Sequence, residues 1–469
     1  MGYSAPMLNR FFDVLRGRGA RASAPPPATP APSALPLDAL RARLAQGDAA
    51  TACLELNHLA NLHPQDADVL ALFGWALFEL AEIGQAREVL AAALRLRPDH
   101  ADALNTMGAM AAETDHPADA IGWFEDALDA TPGSLPARYN LAQVLFLGGQ
   151  YRRGFDLLRA RHQLLFGRAN QLEPMPAWQG EPLDGRGIFV WCDWGGLGDH
   201  LQFIRYVPLL MRQARPKGIL LGAGREFARL FMRVEGVGGV LEPGHPPFTD
   251  VHCPLLDLPY LLGTDLDSVP HEIPYLSADP QEAAQWATQL DLAGAQARAS
   301  NSDSLRVGLA WKSTGGAGES LIYQRMRQSK SVPAQLLGGL QESGARFVSL
   351  QMGATPYERA LTGLEILDCS SGIRDFADTA AIIANLDLVI SADTSVAHLA
   401  GAMGKPVLLL LRRESGLFWL HDRDDSPWYP SMRILRQPVS GDWAPVLEAA
   451  AAWLRVAARE GAAAVIPPR

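Results

Sequence analysis

Cysteine is scarce: four in 469 residues, Cys53, Cys192, Cys253 and Cys369, all far apart. No CxxC pair and no Cys/His ligand spacing occurs, so neither a disulfide framework nor a zinc site is indicated. Scattered thiols fit a reducing compartment, and a cytoplasmic location is expected. No run approaches the ~20 apolar residues of a membrane span. Arg10, Arg16 and Arg18 stand near the start without an apolar stretch of signal-peptide length beside them, so no leader is expected. The strip Met7–Leu15 reads as a frayed terminal helix or as a membrane-surface contact. Positive charge is not in excess. The 41 Lys and Arg against 51 Asp and Glu leave a net charge of −10, which argues against a general nucleic-acid binder with its usual basic stripe. What is there is ordinary for soluble globular domains, 48% hydrophobic and 20% charged, and long enough for about three of them.

Residues 1–36 form an N-terminal segment ending in an Ala/Pro-rich stretch with Pro25, Pro26, Pro27, Pro30, Pro32 and Pro36, which reads as a stiff linker. Residues 37–165 repeat. Pro64, Pro98 and Pro132 are spaced by 34, as are Ala52, Ala86 and Ala120, with Gly154 continuing the step. Gly74, Gly108 and Ala142 follow the same period, and large residues recur at Leu90, Phe124 and Leu158. Small residues where two helices touch, with proline at the closing turn, make this stretch resemble the tetratricopeptide repeat. Three full repeats are expected from Ala67, Ala101 and Leu135, with a degenerate one before them. Arg161 departs from the small residue predicted there, as suits a helix leaving the array. Such arrays bind protein partners in a groove or act as spacers.

From about residue 186, short β-rich runs alternate with helical stretches: Ile188–Cys192, Gly218–Leu221, Val307–Trp311, Phe347–Gln351, Leu388–Ser391 and Val407–Leu411. That alternation predicts parallel sheets with crossover helices. The stretch Asp279–Ser304 divides the region into halves at 180–278 and 300–437. A C-terminal helix over 441–459 is expected to pack across both.

Three turns carry candidate chemistry. After Ile188–Cys192 come Gly195, Gly196, Gly198 and Asp199. The glycines permit close approach of a ligand to the backbone. Asp199 is either a general base toward a hydroxyl or simply a helix cap. His200 fits a hydrogen-bonded histidine better than a catalyst. After Val307–Trp311, Ser313 and Thr314 lie in a Gly-rich turn that lacks Walker spacing but suits phosphate oxygens. Lys330 either meets a diphosphate or is a solvated lysine. Gln351 and Met352 stand at a strand end where a ribose or base would lie. The third turn, Asp393-Thr394-Ser395, opens a helix after Leu388–Ser391, and Gly404 ends it. Free amides and the helix dipole there suit an anion. Asp265-Leu266-Asp267 and His421–Asp425 lie in loops without a further ligand set, and no metal is expected.

Together these pieces resemble a known family. Gly196-Leu197-Gly198-Asp199, Gln202-Phe203, Arg205-Tyr206, Pro274-Tyr275-Leu276, Val307–Trp311, Ser349-Leu350-Gln351, Asp375–Ala380, the Asp393-Thr394 run and Asp425–Pro430 are similar, in order, to bacterial heptosyltransferase-like glycosyltransferases. The layout is also similar, more loosely, to protein O-linked sugar transferases. The resemblance implies an α/α superhelical tetratricopeptide array followed by an α/β GT-B fold of two Rossmann-like domains, acceptor on the first (180–278) and donor on the second (300–437). It implies inverting, metal-independent transfer from a nucleotide-sugar donor to a protein or glycan acceptor, with no cofactor. Asp199 matches the catalytic base, with Gly196 and Gly198 in the acceptor-side loop. Lys330 matches the phosphate lysine, Ser313 and Thr314 the phosphate turn, and Asp393, Thr394 and Ser395 the pyrophosphate helix. Trp194-Gly195 replaces the family's usual Glu-Gln, and the loop 315–330 is longer than usual. An inactive repeat-bearing scaffold and a nucleotide-sugar epimerase are the competing expectations.

Overall fold

The computed structural model describes residues 35–160, 175–192, 195–242, 248–296, 304–314, 321–414 and 418–468. The strip Met7–Leu15, residues 21–34 of the linker, Arg161, Trp194, Gly315 and Gly316 lie outside them. The chain divides into two compact units, Met1–Val144 with Gly315–Met326, and Leu145–Thr314 with Arg327–Arg469.

The first unit is helical. Helices α1 (Leu37–Ala45) and α2 (Ala49–Leu62) precede the hairpins α3 (Ala67–Glu79) with α4 (Ile83–Leu96) and α5 (Ala101–Glu113) with α6 (Pro117–Ala130). Helix α7 (Leu135–Leu147) opens the third hairpin. The first helices of the three hairpins start at Ala67, Ala101 and Leu135, where the 34-residue period predicts them. Asp66 caps α3, its carboxylate accepting from the N–H groups of Asp68 and Val69. The small and large positions of the repeat meet as pairs. A Cβ on Gly74 would lie 2.5 Å from the Leu90 side chain, and one on Gly108 would lie 2.6 Å from the Phe124 ring. Leu90 and Phe124 are thereby sunk against the facing helix. Burying such a side chain contributes about 2 kcal/mol.

The second unit takes the end of the third hairpin, α8 (Tyr151–Leu158). The period placed this helix with the array up to residue 165; aromatic packing groups it here. Phe146, Tyr151 and Phe155 pack on one another and on Phe418, and Tyr151 also on Trp428. Trp428 Nε1 donates to Tyr151 Oη at 2.9 Å.

Two parallel sheets follow. The first has order β3-β2-β1-β4, from β1 (Gly187–Trp191), β2 (Gly218–Gly222), β3 (Val237–Leu241) and β4 (Val251–Pro254). Helices α9 (Leu197–Phe203) and α10 (Tyr206–Ala214) connect β1 to β2. Helix α11 (Arg225–Phe231) connects β2 to β3. Helices α12 (Leu258–Leu261) and α13 (Pro280–Gln296) lead to the second sheet.

That sheet has order β10-β9-β8-β5-β6-β7, from β5 (Arg306–Ala310), β6 (Arg346–Ser349), β7 (Ile366–Asp368), β8 (Leu388–Ala392), β9 (Val407–Leu411) and β10 (Met432–Arg436). Between β5 and β6 runs α14 (Leu321–Lys330), of which 327–330 belong to this unit, and the sheet's further helices are α15 (Pro356–Leu361), α16 (Phe376–Ala384), α17 (Ser395–Ala402) and α18 (Ala444–Glu460). Every residue of β8 and β9 is buried, which is why these strands read as unbroken apolar runs.

Numbered within its own half, the second sheet runs 6-5-4-1-2-3, the full doubly wound Rossmann order, and the first runs 3-2-1-4. The region is thus the pair of Rossmann-like halves of a GT-B fold behind a helical array. Strand order reverses beside β1 in the first sheet and between β5 and β8 in the second, and crevices form outside the strand ends at such points. Helix α18 differs from expectation. It packs its apolar face, Val446, Leu447, Ala450 and Leu454, into the core of the six-stranded sheet with Leu408, Leu410 and Leu340.

Candidate active site

The turn leaving β1 ends in Gly195, whose φ of +142° is open to glycine and rarely to other residues. Helix α9 begins two residues later, so Asp199 stands in its first turn. Asp199 Oδ2 accepts the Gly196 N–H at 2.7 Å. The capping and catalytic readings of Asp199 are therefore compatible, since one oxygen holds the turn. Burial pushes its carboxyl above the ordinary carboxylate range, against the opposing pull of the Gly196 N–H, His200 and Lys330. Gly198 lets α9 lie on α17: a Cβ there would come within 2.6 Å of the His398 ring. The His200 ring lies edge-on to the Phe227 ring at 5.5 Å.

Across from Asp199 are the ends of β5 and β8. Lys330 Nζ lies 2.8 Å from Asp393 Oδ2. Trp419 Nε1 donates to Asp393 Oδ1 at 3.0 Å. Burial works to raise the Asp393 pKa, but the charges of Lys330 and His398 with these hydrogen bonds outweigh it and hold the carboxyl at about 2. Lys330 is thus no loose surface lysine; its side chain is 23% exposed. Thr394 caps α17, Oγ1 accepting the Val396 N–H at 3.3 Å, with Ser391 Oγ 3.1 Å away. Ser395 is the first residue of that eight-residue helix. The turn after β5 is tied to the end of α14: Ser313 N–H donates to Ser331 Oγ at 3.1 Å, and Val332 N–H to Trp311 O at 2.8 Å. Ser313, Thr314, Lys330, Asp393, Thr394 and Ser395 thus belong to the turns and helix ends at the switch point of one sheet.

Gln351, read as a ribose or base contact, is turned onto the backbone. It is 4% exposed, and both ends of its amide are engaged with backbone. Oε1 accepts the Trp311 and Lys312 N–H groups at 3.0 and 2.7 Å, and Nε2 donates to Lys312 O and Met352 O. It braces the turn after β5. Met352 is 45% exposed beside it. Lys312 pairs with Glu358 at 2.6 Å. The two acidic loops have local employment. Asp265 accepts from Leu266 N–H, while Asp424 and Asp425 pair with Arg433 and Arg423. Among the described residues no group of three or more His, Cys, Asp and Glu could hold a metal.

Three residues at the site were not singled out from the sequence: His398, Trp419 and Tyr429. His398 lies on α17, stacked on Trp419 with ring centroids 5.1 Å apart, and its Nδ1 is 2.9 Å from Tyr429 Oη. Burial lowers its pKa to about 4, with Lys330 and Arg205 adding to the fall and Asp393 opposing it, so the ring is neutral at pH 7. A histidine at the fourth position of a helix behind a polar cap is the signal that was available. Behind them, Arg205 joins the two halves. It donates to Pro270 O and Trp428 O at 2.8 and 2.6 Å and to Tyr275 Oη at 2.8 Å.

The arrangement unites a carboxylate of raised pKa with a lysine and the N-terminus of a capped helix. Such a set can take a proton from a hydroxyl and hold an anionic leaving group.

The chain is similar to several known proteins. Residues 371–440, from α16 through β10, match the model of glycosyltransferase family 9 (heptosyltransferase). A protein named FlbA from Caulobacter vibrioides is 26% identical over 464 residues, covering 85% of this chain and 74% of its own. Among solved structures, a family 9 glycosyl transferase from Veillonella parvula is 12% identical, covers 61% of this chain and 99% of its own, and has a TM-score of 0.43. An O-GlcNAc transferase mutant from Thermobaculum terrenum is 14% identical, covers 92% of each chain, and has a TM-score of 0.32. The stretch matched by the family model takes in β8, α17 and β9, the strands and helix beside the switch point of the second sheet.

Proposed function

We propose that this chain moves a sugar from a nucleotide-sugar donor to a hydroxyl of a protein or glycan acceptor, with inversion. The observation that carries this is the convergence of Asp199 from one Rossmann half with the Lys330–Asp393 pair from the other. Asp199 takes the acceptor proton as the acceptor oxygen attacks the anomeric carbon from the side opposite the diphosphate. The raised pKa of Asp199 strengthens it as a base at the moment of attack. The diphosphate carries the charge that develops as it leaves. Lys330 and the amides at the start of α17 meet that charge in place, without reorganising. Ser313 and Thr314 hold phosphate oxygens, and Gln351 keeps their turn in shape. The helical repeats recruit the acceptor or a protein partner. The family 9 match and the fold support the reaction class; donor base, sugar and acceptor are left to experiment.

The test is release of nucleotide from UDP-, GDP-, ADP-, CMP- and dTDP-sugars, with wild type and Asp199→Asn side by side. Release from one donor class by wild type, lost in Asp199→Asn while nucleotide binding persists, is expected. Equal release by both proteins removes Asp199 from the reaction. No release by wild type, with a protein partner captured by the repeats, turns the chain into a scaffold.

A further inference from the structure

Two pairs of neighbouring residues link helix α8 to the Asp393 turn: Phe418-Trp419 and Trp428-Tyr429. The first ring of each pair packs on α8 and the end of α7. Phe418 lies against Phe146, Tyr151 and Phe155, with ring centroids 4.9, 6.2 and 6.2 Å away. Trp428 lies against Tyr151 at 5.6 Å. Phe203 of α9 closes the cluster, 5.3 Å from Phe418 and 5.6 Å from Trp428. The second ring of each pair holds the turn and helix after β8. Trp419 Nε1 donates to Asp393 Oδ1 at 3.0 Å, and Tyr429 Oη stands 2.9 Å from His398 Nδ1. Both pairs meet at one hydroxyl. Tyr151 Oη accepts the Trp428 indole N–H at 2.9 Å, and its own proton is directed at Phe418 O, 3.5 Å away. A phenol has one proton to give and lone pairs to receive, so this oxygen serves both segments at once. Tyr151, Phe155, Phe418 and Trp428 are at most 6% exposed, so water does not replace a bond lost there.

We infer that Tyr151 is a positioning residue for the donor site, fixing through Phe418 and Trp428 the two aromatic side chains that hold Asp393 and His398. This rests on the transfer described above, in which the Lys330–Asp393 pair receives the diphosphate. The step from the cluster to the site is one peptide unit on each segment. A shift of Phe418 carries Trp419 with it, and a shift of Trp428 carries Tyr429. Close-packed interiors pass such shifts on rather than absorbing them. Trp419 fixes one oxygen of Asp393 while Lys330 pairs with the other. Loss of the Trp419 bond frees the carboxylate to turn, and the Lys330 ammonium moves with it. Helix α8, which continues the period of the array through Gly154, thereby serves the transferase.

In the full-length chain, Tyr151→Phe keeps the ring and removes the hydroxyl. Two readouts separate positioning from support of the fold. One is the indole N–H signals of protein labelled with ¹⁵N-tryptophan, Trp419→Phe and Trp428→Phe assigning the two that matter. The other is calorimetric titration of UDP, GDP, ADP, CDP and dTDP, with Lys330→Ala and Leu340→Ala alongside. Leu340→Ala lowers stability from the core beneath α18. In Tyr151→Phe the Trp428 signal shifts because its acceptor has gone. The inference requires that the Trp419 signal shift as well. It also requires that affinity for the diphosphate bound by wild type fall about threefold or more, while Leu340→Ala binds as wild type does. A Trp419 signal that stays in place, or wild-type affinity in Tyr151→Phe with Lys330→Ala impaired, overturns the role of Tyr151 and leaves the transferase standing. Equal loss in Leu340→Ala makes the effect one of stability and overturns it too. Absence of binding to every diphosphate by wild type overturns both readings. Should Tyr151→Phe fail to fold, Phe418→Leu withdraws a ring and keeps the hydroxyl, and the Trp419 signal and the affinity are read in the same way.

Discussion

Lys330 and Asp393 form an ion pair, Nζ to Oδ2 at 2.8 Å, with the Asp393 carboxylate further held by the Trp419 indole. Two segments 63 positions apart in sequence thus share one charge-neutral unit at the strand ends. In the proposed reaction, a diphosphate entering there would meet a lysine that is already aimed and needs only to be shared. That is pre-organisation of the kind that serves catalysis better than a flexible surface lysine.

The pair makes stability depend on pH in a defined window. The Asp393 carboxyl is held at about 2 in the folded chain, below the ordinary value near 3.9. A depressed carboxyl stabilises the fold above its unfolded pKa, and this contribution fades as pH falls through the folded value. Asp393→Asn is therefore expected to lose about 2 kcal/mol at pH 5–7, discounted for the partial exposure of Lys330. The difference from wild type should shrink between about pH 4 and pH 2. Denaturant unfolding at fixed pH values measures it; a difference that grows toward pH 2 contradicts the pairing.

Gly198→Ala tests the contact between α9 and α17. The added methyl would sit 2.6 Å from His398 Cδ2, and the ring cannot retreat, being stacked on Trp419 and bonded to Tyr429. Overpacking of this kind costs about 1–3 kcal/mol. Nucleotide release should fall with it, because Asp199 is the next residue. Unchanged stability and release would mean that the two halves are not in contact there.

Gln351→Leu keeps the volume and removes the brace. Two backbone N–H groups, on Trp311 and Lys312, lose their acceptor in a buried setting. Each orphaned donor costs about 1–3 kcal/mol. The variant is expected to unfold at lower denaturant and to bind diphosphate more weakly, since Ser313 and Thr314 follow directly. Full stability with lost nucleotide affinity would instead make Gln351 a ligand contact.

How much of this was legible depended on whether a residue's role was local. The repeat was legible because its period pairs Gly74 with Leu90 and Gly108 with Phe124 at fixed offsets along one chain segment. The strands were legible because β8 and β9 are buried on both faces and read as apolar runs. Asp199, Lys330 and Asp393 were legible as members of motifs, but not the fact that Lys330 and Asp393 meet. Gln351 was read at the strand end where it stands, but not the backbone groups its amide holds. Its amide complements backbone N–H and C=O groups on β5's exit, and no spacing rule encodes that. His398, Trp419 and Tyr429 escaped because their contacts join segments that only the tertiary fold brings together. Helix α8 left the array for the same reason: the period continues through Gly154, while Phe418 and Trp428, far along the chain, supply the aromatic surface that holds it.

The most direct test of the account is calorimetric titration of UDP, GDP, ADP, CDP and dTDP into wild type and Lys330→Ala. The account predicts that one of them binds wild type selectively and loses at least tenfold in affinity in Lys330→Ala, as a charge-assisted contact to phosphate requires. Binding of none, or equal affinity in both proteins, would contradict a donor site at the Lys330–Asp393 pair.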